Sequence, residues 1–224
     1  YLISSIINKK NLTRKNMLKI LIAILGFIIV FNSSAATVTV YNNNQKVQEN
    51  VVVWLAPEQA SEVNLNQSLF TMTQKNRQFT PHILVVEKNS QVEFPNADSI
   101  MHHVDSFSKS KTFELKLYRE QPQNPITFEQ TGVVELGCNI HDWMLGYIVV
   151  VDSPYYAITN EQGVASFDIP NGAYKLNVWH EGFRDISNIE SQKVVITNNK
   201  LSYQLKQKLT LPIRVEVDEF DDYE

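Results

Sequence analysis

The chain of 224 residues has one cysteine, Cys138, and that scarcity excludes several designs at once. No internal disulfide can form, and no dinuclear centre bridged by two cysteines can be built. Five histidines do not supply the further cluster that a multicopper oxidase would need. There is no glycine-rich phosphate loop and no hydrolase nucleophile motif. Beyond residue 36 no stretch repeats apolar residues at the helical period, so helices are not expected. Positive charge is also scarce. The first 36 residues hold five basic side chains (Lys9, Lys10, Arg14, Lys15, Lys19) and no acid. Of the 20 basic and 24 acidic residues, 15 and 24 therefore remain downstream, a net charge of −9. A chain of that sign does not suit nucleic acid, but it can be steered toward a basic partner.

What is present begins with an export signal. Tyr1 is not a start residue, and Met17 is the better start. Lys19 then gives a positive region, Ile20 to Phe31 an apolar run, and Asn32-Ser33-Ser34-Ala35-Ala36 the small residues of a cleavage site. This predicts a secretory signal peptide over residues 1–36 and a periplasmic or secreted product. The alternative is a short membrane anchor, although the run is shorter than the ~20 residues that span a bilayer. No stable membrane insertion of the mature chain is expected.

The lone cysteine opens Cys138-Asn139-Ile140-His141-Asp142-Trp143-Met144. Thiolate, imidazole and thioether follow one another at three-residue intervals. Two imidazoles and a thiolate in a plane with a weak axial thioether suit copper, whereas zinc would gain little from Met144. The loop lacks a second imidazole. The stretch Asn96-Ala97-Asp98-Ser99-Ile100-Met101-His102-His103-Val104 offers it. Successive strand residues face opposite ways, so one of His102 and His103 points inward. A buried structural cysteine is the plainer alternative for Cys138. His82 and His180, in apolar strand contexts, read as ordinary strand residues.

The rest of the chain reads as short strands separated by Asn, Gly, Pro and Ser. Candidates are Thr37 to Tyr41, Val51 to Leu55, His82 to Glu87, Gln91 to Phe94, His102 to Phe107, Thr112 to Leu117, Ile126 to Glu129, Val133 to Leu136 and Gly146 to Val151. Asp152-Ser153-Pro154 reads as a seam. Beyond it come Ala165 to Ile169, Tyr174 to Trp179, Lys193 to Ile196, Leu201 to Leu205 and Leu211 to Val217. Many short strands predict an all-β sandwich architecture. Residues 216–224 form an acidic tail, either a solvated end or a docking element for a basic partner.

These phrases resemble a known family. The Cys138, His141 and Met144 spacing is similar to the short metal loop of amicyanin, a small blue-copper protein (cupredoxin) of the plastocyanin group. Phe79-Thr80-Pro81, Val92-Glu93-Phe94-Pro95-Asn96, His102-His103-Val104-Asp105-Ser106-Phe107-Ser108, Phe113-Glu114-Leu115 and the Leu136 to Met144 phrase resemble plastocyanin-like exported proteins of the methylamine utilization family. The resemblance implies a Greek-key β-sandwich and one mononuclear type 1 copper held by His102, Cys138, His141 and Met144. In amicyanin-like proteins the ligand histidine is followed by Asn and an apolar residue. Setting Val104 as that apolar residue makes His102 the ligand and puts His103 where Asn is usual. It further implies that the His103 amide bonds the Cys138 sulfur and that Asn96 braces the two ligand loops; for Asn96 a plain turn role stays open. Met101, Ile140 and Trp143 would form an apolar docking patch around His141, unless Trp143 packs inward. The implied role is electron carrier rather than enzyme, with redox partner proteins such as an amine dehydrogenase or a c-type cytochrome. Copper storage or delivery, and a structural sandwich with a vestigial site, are the other readings.

A second resemblance concerns the flanks. Thr37 to Pro57 is similar to the opening hairpin of a carboxypeptidase-regulatory-like (transthyretin-like) sandwich. Its usual continuation comes only after the copper segment, as Thr159-Asn160-Glu161-Gln162-Gly163, Ala165 to Ile169, Pro170-Asn171-Gly172, Tyr174 to Trp179 and Glu181-Gly182-Phe183. The expected layout is a copper domain over residues 67–152 inserted into a second, smaller sandwich over residues 37–60 and 153–215. The alternative is that residues 37–57 add strands to the copper domain's own sheet.

Overall fold

The computed structural model describes residues 33–58, 68–120, 122, 124–197 and 200–210. All but the last four residues of the expected leader, the acidic tail and the expected strand near Leu211 to Val217 lie outside the described residues. Among the described residues the protein is all-β. The strands are β1 (Ser33–Tyr41), β2 (Val52–Pro57), β3 (Leu69–Thr71), β4 (Thr73–Lys75), β5 (Gln78–Thr80), β6 (Ile83–Glu87), β7 (Gln91–Glu93), β8 (His102–Ser108) and β9 (Lys111–Tyr118). They continue with β10 (Ile126–Thr127), β11 (Gly132–Leu136), β12 (Gly146–Val151), β13 (Tyr156–Ile158), β14 (Val164–Pro170), β15 (Gly172–Trp179), β16 (Glu190–Ile196) and β17 (Lys200–Gln204).

Among the described residues the sheet β11-β12-β6 contributes to two hydrophobic cores. β12 pairs antiparallel with β11 and parallel with β6. All six residues of β12 are buried, which is what the unbroken run Gly146-Tyr147-Ile148-Val149-Val150-Val151 requires of a strand covered on both faces. Alternation sends its side chains to two different cores. Ile148 and Val150 join Val86, Val134 and Leu136 in one cluster with Met72, Phe79, Val92, Phe94, Val104 and Phe128. Tyr147, Val149 and Val151 join Ile83, Val85 and Val133 in another, with Trp54, Leu55, Phe167, Leu176 and Trp179. Full burial of one such aliphatic side chain contributes about 1.5–3 kcal/mol, so this sheet is stabilised from both sides.

The first cluster is closed by the sheet β10-β7-β3 and the hairpins β4-β5 and β8-β9. The second is closed by the sheets β14-β1-β17 and β13-β2-β15-β16. Every described strand partner of β1 and β2 lies at or beyond residue 156. β1 pairs with β14 and β17, and β2 pairs with β13 and β15, with Leu55 opposite Leu176. β1 also starts at Ser33, four residues upstream of the strand predicted from alternation. The long β14 offers partners that far, as far as the Ser33–Pro170 pair.

Candidate metal centre

Cys138 lies just past the end of β11, where Gly137 and Asp105 exchange two backbone hydrogen bonds of 3.0 and 3.1 Å. This bridge fixes the cysteine loop against β8, the strand that starts with His102. The loop then closes as two successive turns. His141 N–H donates to Cys138 O at 3.3 Å, and Met144 N–H donates to His141 O at 2.9 Å. A turn bond joins residues three apart. The Cys-x2-His-x2-Met spacing seen in the sequence is therefore the spacing of the turn bonds themselves.

The donor atoms of His102, Cys138 and His141 all lie within 4.8 Å of one another. Cys138 Sγ is 3.7 Å from His141 Nδ1, and the two imidazole centroids are 5.0 Å apart. Metal bonds of about 2.0–2.3 Å place donors roughly 3.5–4 Å apart in a plane, so the three fit one ion. His102 is fully buried, and its Nε2 lies 2.7 Å from Asp98 Oδ2. Its Nδ1 is buried with no hydrogen-bond partner. A buried imidazole nitrogen left without a partner costs free energy unless something binds it, and a metal ion at this point removes that cost. Met144 is buried in the same core cluster as Cys138.

No protein-family model matches the chain, and no curated protein does. Solved structures similar to part of it include a purple cupredoxin from Nitrosopumilus maritimus, 20% identical, with a TM-score of 0.33 over 37% of this chain and 99% of that one. Another is a copper-containing nitrite reductase from Thermus scotoductus SA-01, 23% identical, with a TM-score of 0.36 over 42% of this chain and 25% of that one. A variant of amicyanin in its reduced Cu(I) form is 17% identical, with a TM-score of 0.34 over 46% of this chain and 100% of that one. Overlaps this loose say nothing of what this chain binds or does.

The structure separates the two adjacent histidines. His103 faces away from the donor group: its Nε2 is 3.1 Å from Glu114 Oε1, and its carbonyl accepts from Gln74 Nε2 at 3.2 Å. Between His102 and Val104 the register with β9 slips by one residue, from His102–Tyr118 to Val104–Leu115. Such a bulge re-aims a side chain at the end of a strand.

Asp98 is the residue that sequence reasoning passed over. Its Oδ1 accepts the Asn76 amide at 2.7 Å, and its Oδ2 accepts the Arg77 amide at 2.9 Å while also meeting His102. Burial works to raise its pKa. The bonds from Arg77, His102 and Asn76 outweigh burial and hold the carboxyl below its ordinary value. Asn76 and Arg77 both adopt a positive φ of 55°, a conformation that costs energy in non-glycine residues. The carboxylate caps that turn and orients the His102 ring together. A carboxylate behind a metal-binding histidine sets its tautomer and leaves the other nitrogen free to bind.

Asn96 organises the same side. Its Nδ2 donates to Ile100 O at 2.8 Å and to Tyr118 O at 3.2 Å, and its Oδ1 accepts the Asp98 amide at 2.9 Å. These bonds tie the 96–101 loop to β9. Across the site, His141 is half-buried. Burial, then the charges of His102 and Arg77, lower its pKa and favour the neutral ring that a metal needs. Met101, Ile140 and Trp143 are 42%, 49% and 42% exposed, with the Trp143 ring 5.4 Å from that of His141. Trp143 therefore lies at the surface beside the ligand edge and not in the core. His180 is buried, and His82 Nε2 lies 2.6 Å from Glu181 Oε2. Neither belongs to the donor group.

Proposed function

We propose that the protein is an exported blue-copper electron carrier. His102, Cys138 and His141 would hold one copper ion, with Met144 as the weak axial donor. The observation that carries this reading is the meeting of one donor atom each from His102, Cys138 and His141 within 4.8 Å of one another, at a buried His102 whose Nδ1 has no hydrogen-bond partner. Copper supplies the one-electron couple between Cu(I) and Cu(II), and the chain supplies soft and borderline donors that serve both states. His102 fixed by Asp98 on a strand gives a rigid wall, so little rearrangement accompanies each electron. The half-buried His141 with Trp143 beside it, together with the exposed Ile140 and Met101, would give an apolar contact for redox partner proteins such as an amine dehydrogenase or a c-type cytochrome. The role proposed is that of a carrier rather than an enzyme. Residues 1–36 would direct the chain to the periplasm or out of the cell. The pairing of residues 37–41 and 52–57 with residues from 156 on supports a layout in which the copper segment interrupts a second, transthyretin-like sandwich.

Absorption spectroscopy of the copper-loaded protein tests this. One equivalent of Cu(II) should give an intense visible thiolate band that is bleached reversibly by reduction and is missing in Cys138→Ser. Tight Cu(I) binding without that band would mean storage or delivery instead, and failure to bind copper stoichiometrically would sink the metal reading altogether.

A further inference from the structure

His82 grips the exit of the metal loop twice. Its carbonyl accepts the Tyr147 amide at 2.9 Å, and its ring Nδ1 lies 3.1 Å from Leu145 O. Leu145 directly follows Met144. The other ring nitrogen, Nε2, lies 2.6 Å from Glu181 Oε2. Glu181 comes two residues after the end of β15, in the sheet that covers the opposite face of the β11-β12-β6 sheet. Its side chain is buried, at 6% exposed, whereas that of His82 is 39% exposed. The His82 ring sits edge-on to Tyr147 at 5.5 Å, and Tyr147 in turn packs on Trp179 at 5.2 Å. At Gly146 the backbone presses against Phe79, where an added Cβ would come within 2.9 Å of the Phe79 Cβ. The loop exit is thus held between a phenylalanine and one histidine.

The hydrogen bookkeeping of this contact is specific. A carbonyl oxygen only accepts, so the Leu145 contact needs a hydrogen on Nδ1. The short contact to a carboxylate needs a second hydrogen between Nε2 and Glu181. The imidazole therefore donates from Nδ1 to the loop carbonyl while its Nε2 shares one hydrogen with the buried Glu181 carboxyl, and so joins the loop to a segment beyond another sheet. Neither packing of the second core nor hydrogen bonding inside the loop calls for this link.

We propose that His82 is a positioning residue. Through it the Glu181 sheet holds the Leu145 carbonyl, and so fixes where Met144 stands against the metal. This rests on the copper reading above and adds that the second sandwich tunes the metal centre.

Two sets of measurements on the full chain test it. On metal-free protein, hydrogen exchange is followed at the amides of Met144 to Tyr147 in wild type, His82→Phe and Glu181→Gln. His82→Phe keeps the ring edge on Tyr147. Glu181→Gln keeps the size of the side chain and removes its charge, so it serves if the first variant fails to fold. His82→Phe should exchange about tenfold faster at these amides, the size of one lost hydrogen bond, and Glu181→Gln should exchange faster by a smaller factor. Unchanged exchange in the folded variants overturns the proposal. On copper-loaded protein, His82→Phe and Met144→Leu should each shift the reduction potential, and the double variant should shift it by less than the two together. Additive shifts, or no shift in His82→Phe, overturn it as well. The exchange measurement needs no copper, so a wild type without the blue band would end the copper reading alone.

Discussion

His102 and His141 bring the same imidazole to one point, and the chain holds them in opposite ways. His102 is fully buried at the start of β8, and its outer nitrogen is fixed by a carboxylate that also caps the Asn76-Arg77 turn. His141 is half-buried in a loop of two turn bonds, with Trp143 as its ring neighbour on the surface side. One wall belongs to the framework and the other to a short loop at its edge. A carrier of the proposed kind would need both. The buried wall would keep the geometry constant, and the exposed edge would let an electron leave without a partner having to penetrate the core.

Substitution of each histidine breaks this comparison most sharply. His102→Ala should cost about 3 kcal/mol of stability, since it empties a buried site and leaves the Asp98 carboxylate without its ring partner. His141→Ala should cost less than about 1 kcal/mol, although both variants should lose the coloured site. Urea unfolding of the metal-free proteins measures the difference. Equal costs would show that the two walls are built alike.

Asp98→Ala comes next. It removes three hydrogen bonds at one point and should weaken copper binding by about 10–100-fold while leaving the donor set in place. Competition with a chelator measures this. Wild-type affinity would mean that Asp98 only caps the turn.

A smaller effect is expected from Met144→Leu. Copper should stay bound and only the reduction potential should move, because the axial donor tunes the metal rather than holding it. Loss of copper would move Met144 into the primary set.

The smallest effect separates the metal side from the second core. Burial lowers the pKa of His180, whose Nδ1 accepts the Gly182 amide at 2.8 Å. A lowered folded-state value means that the unfolded chain takes up the proton first. The contribution is therefore complete above the ordinary value of 6.5 and is lost as pH falls below it. The urea midpoint should drop between pH 8 and pH 5.5, and His180→Asn should reduce that drop. An unchanged slope would show that other groups carry it.

Much of this architecture could be read from residue order. Gly146 to Val151 was recognisable as a buried strand because it is apolar without a break, and β8, β9, β14 and β15 followed from alternation. The His102, Cys138 and His141 group was legible because soft donors at turn spacing are rare outside metal sites. The strands β3, β4, β5 and β13 were not expected, since each has three residues and no apolar period. The β4-β5 hairpin turns at Asn76-Arg77, which lacks the glycine that usually marks such a turn. What makes it possible is Asp98, more than twenty residues away. A carboxylate four residues before a histidine has no signature in a loop, so Asp98 went unread for the same reason. The His82 and Glu181 contact joins residues 99 apart, and only the folded chain shows it.

X-ray absorption at the copper edge, on the loaded protein in both oxidation states, tests the central claim most directly. The predicted result is two nitrogens and one sulfur at short range, with distances that barely change on reduction. A first shell without sulfur, or one that rearranges between Cu(I) and Cu(II), would contradict a site held rigid by a buried wall.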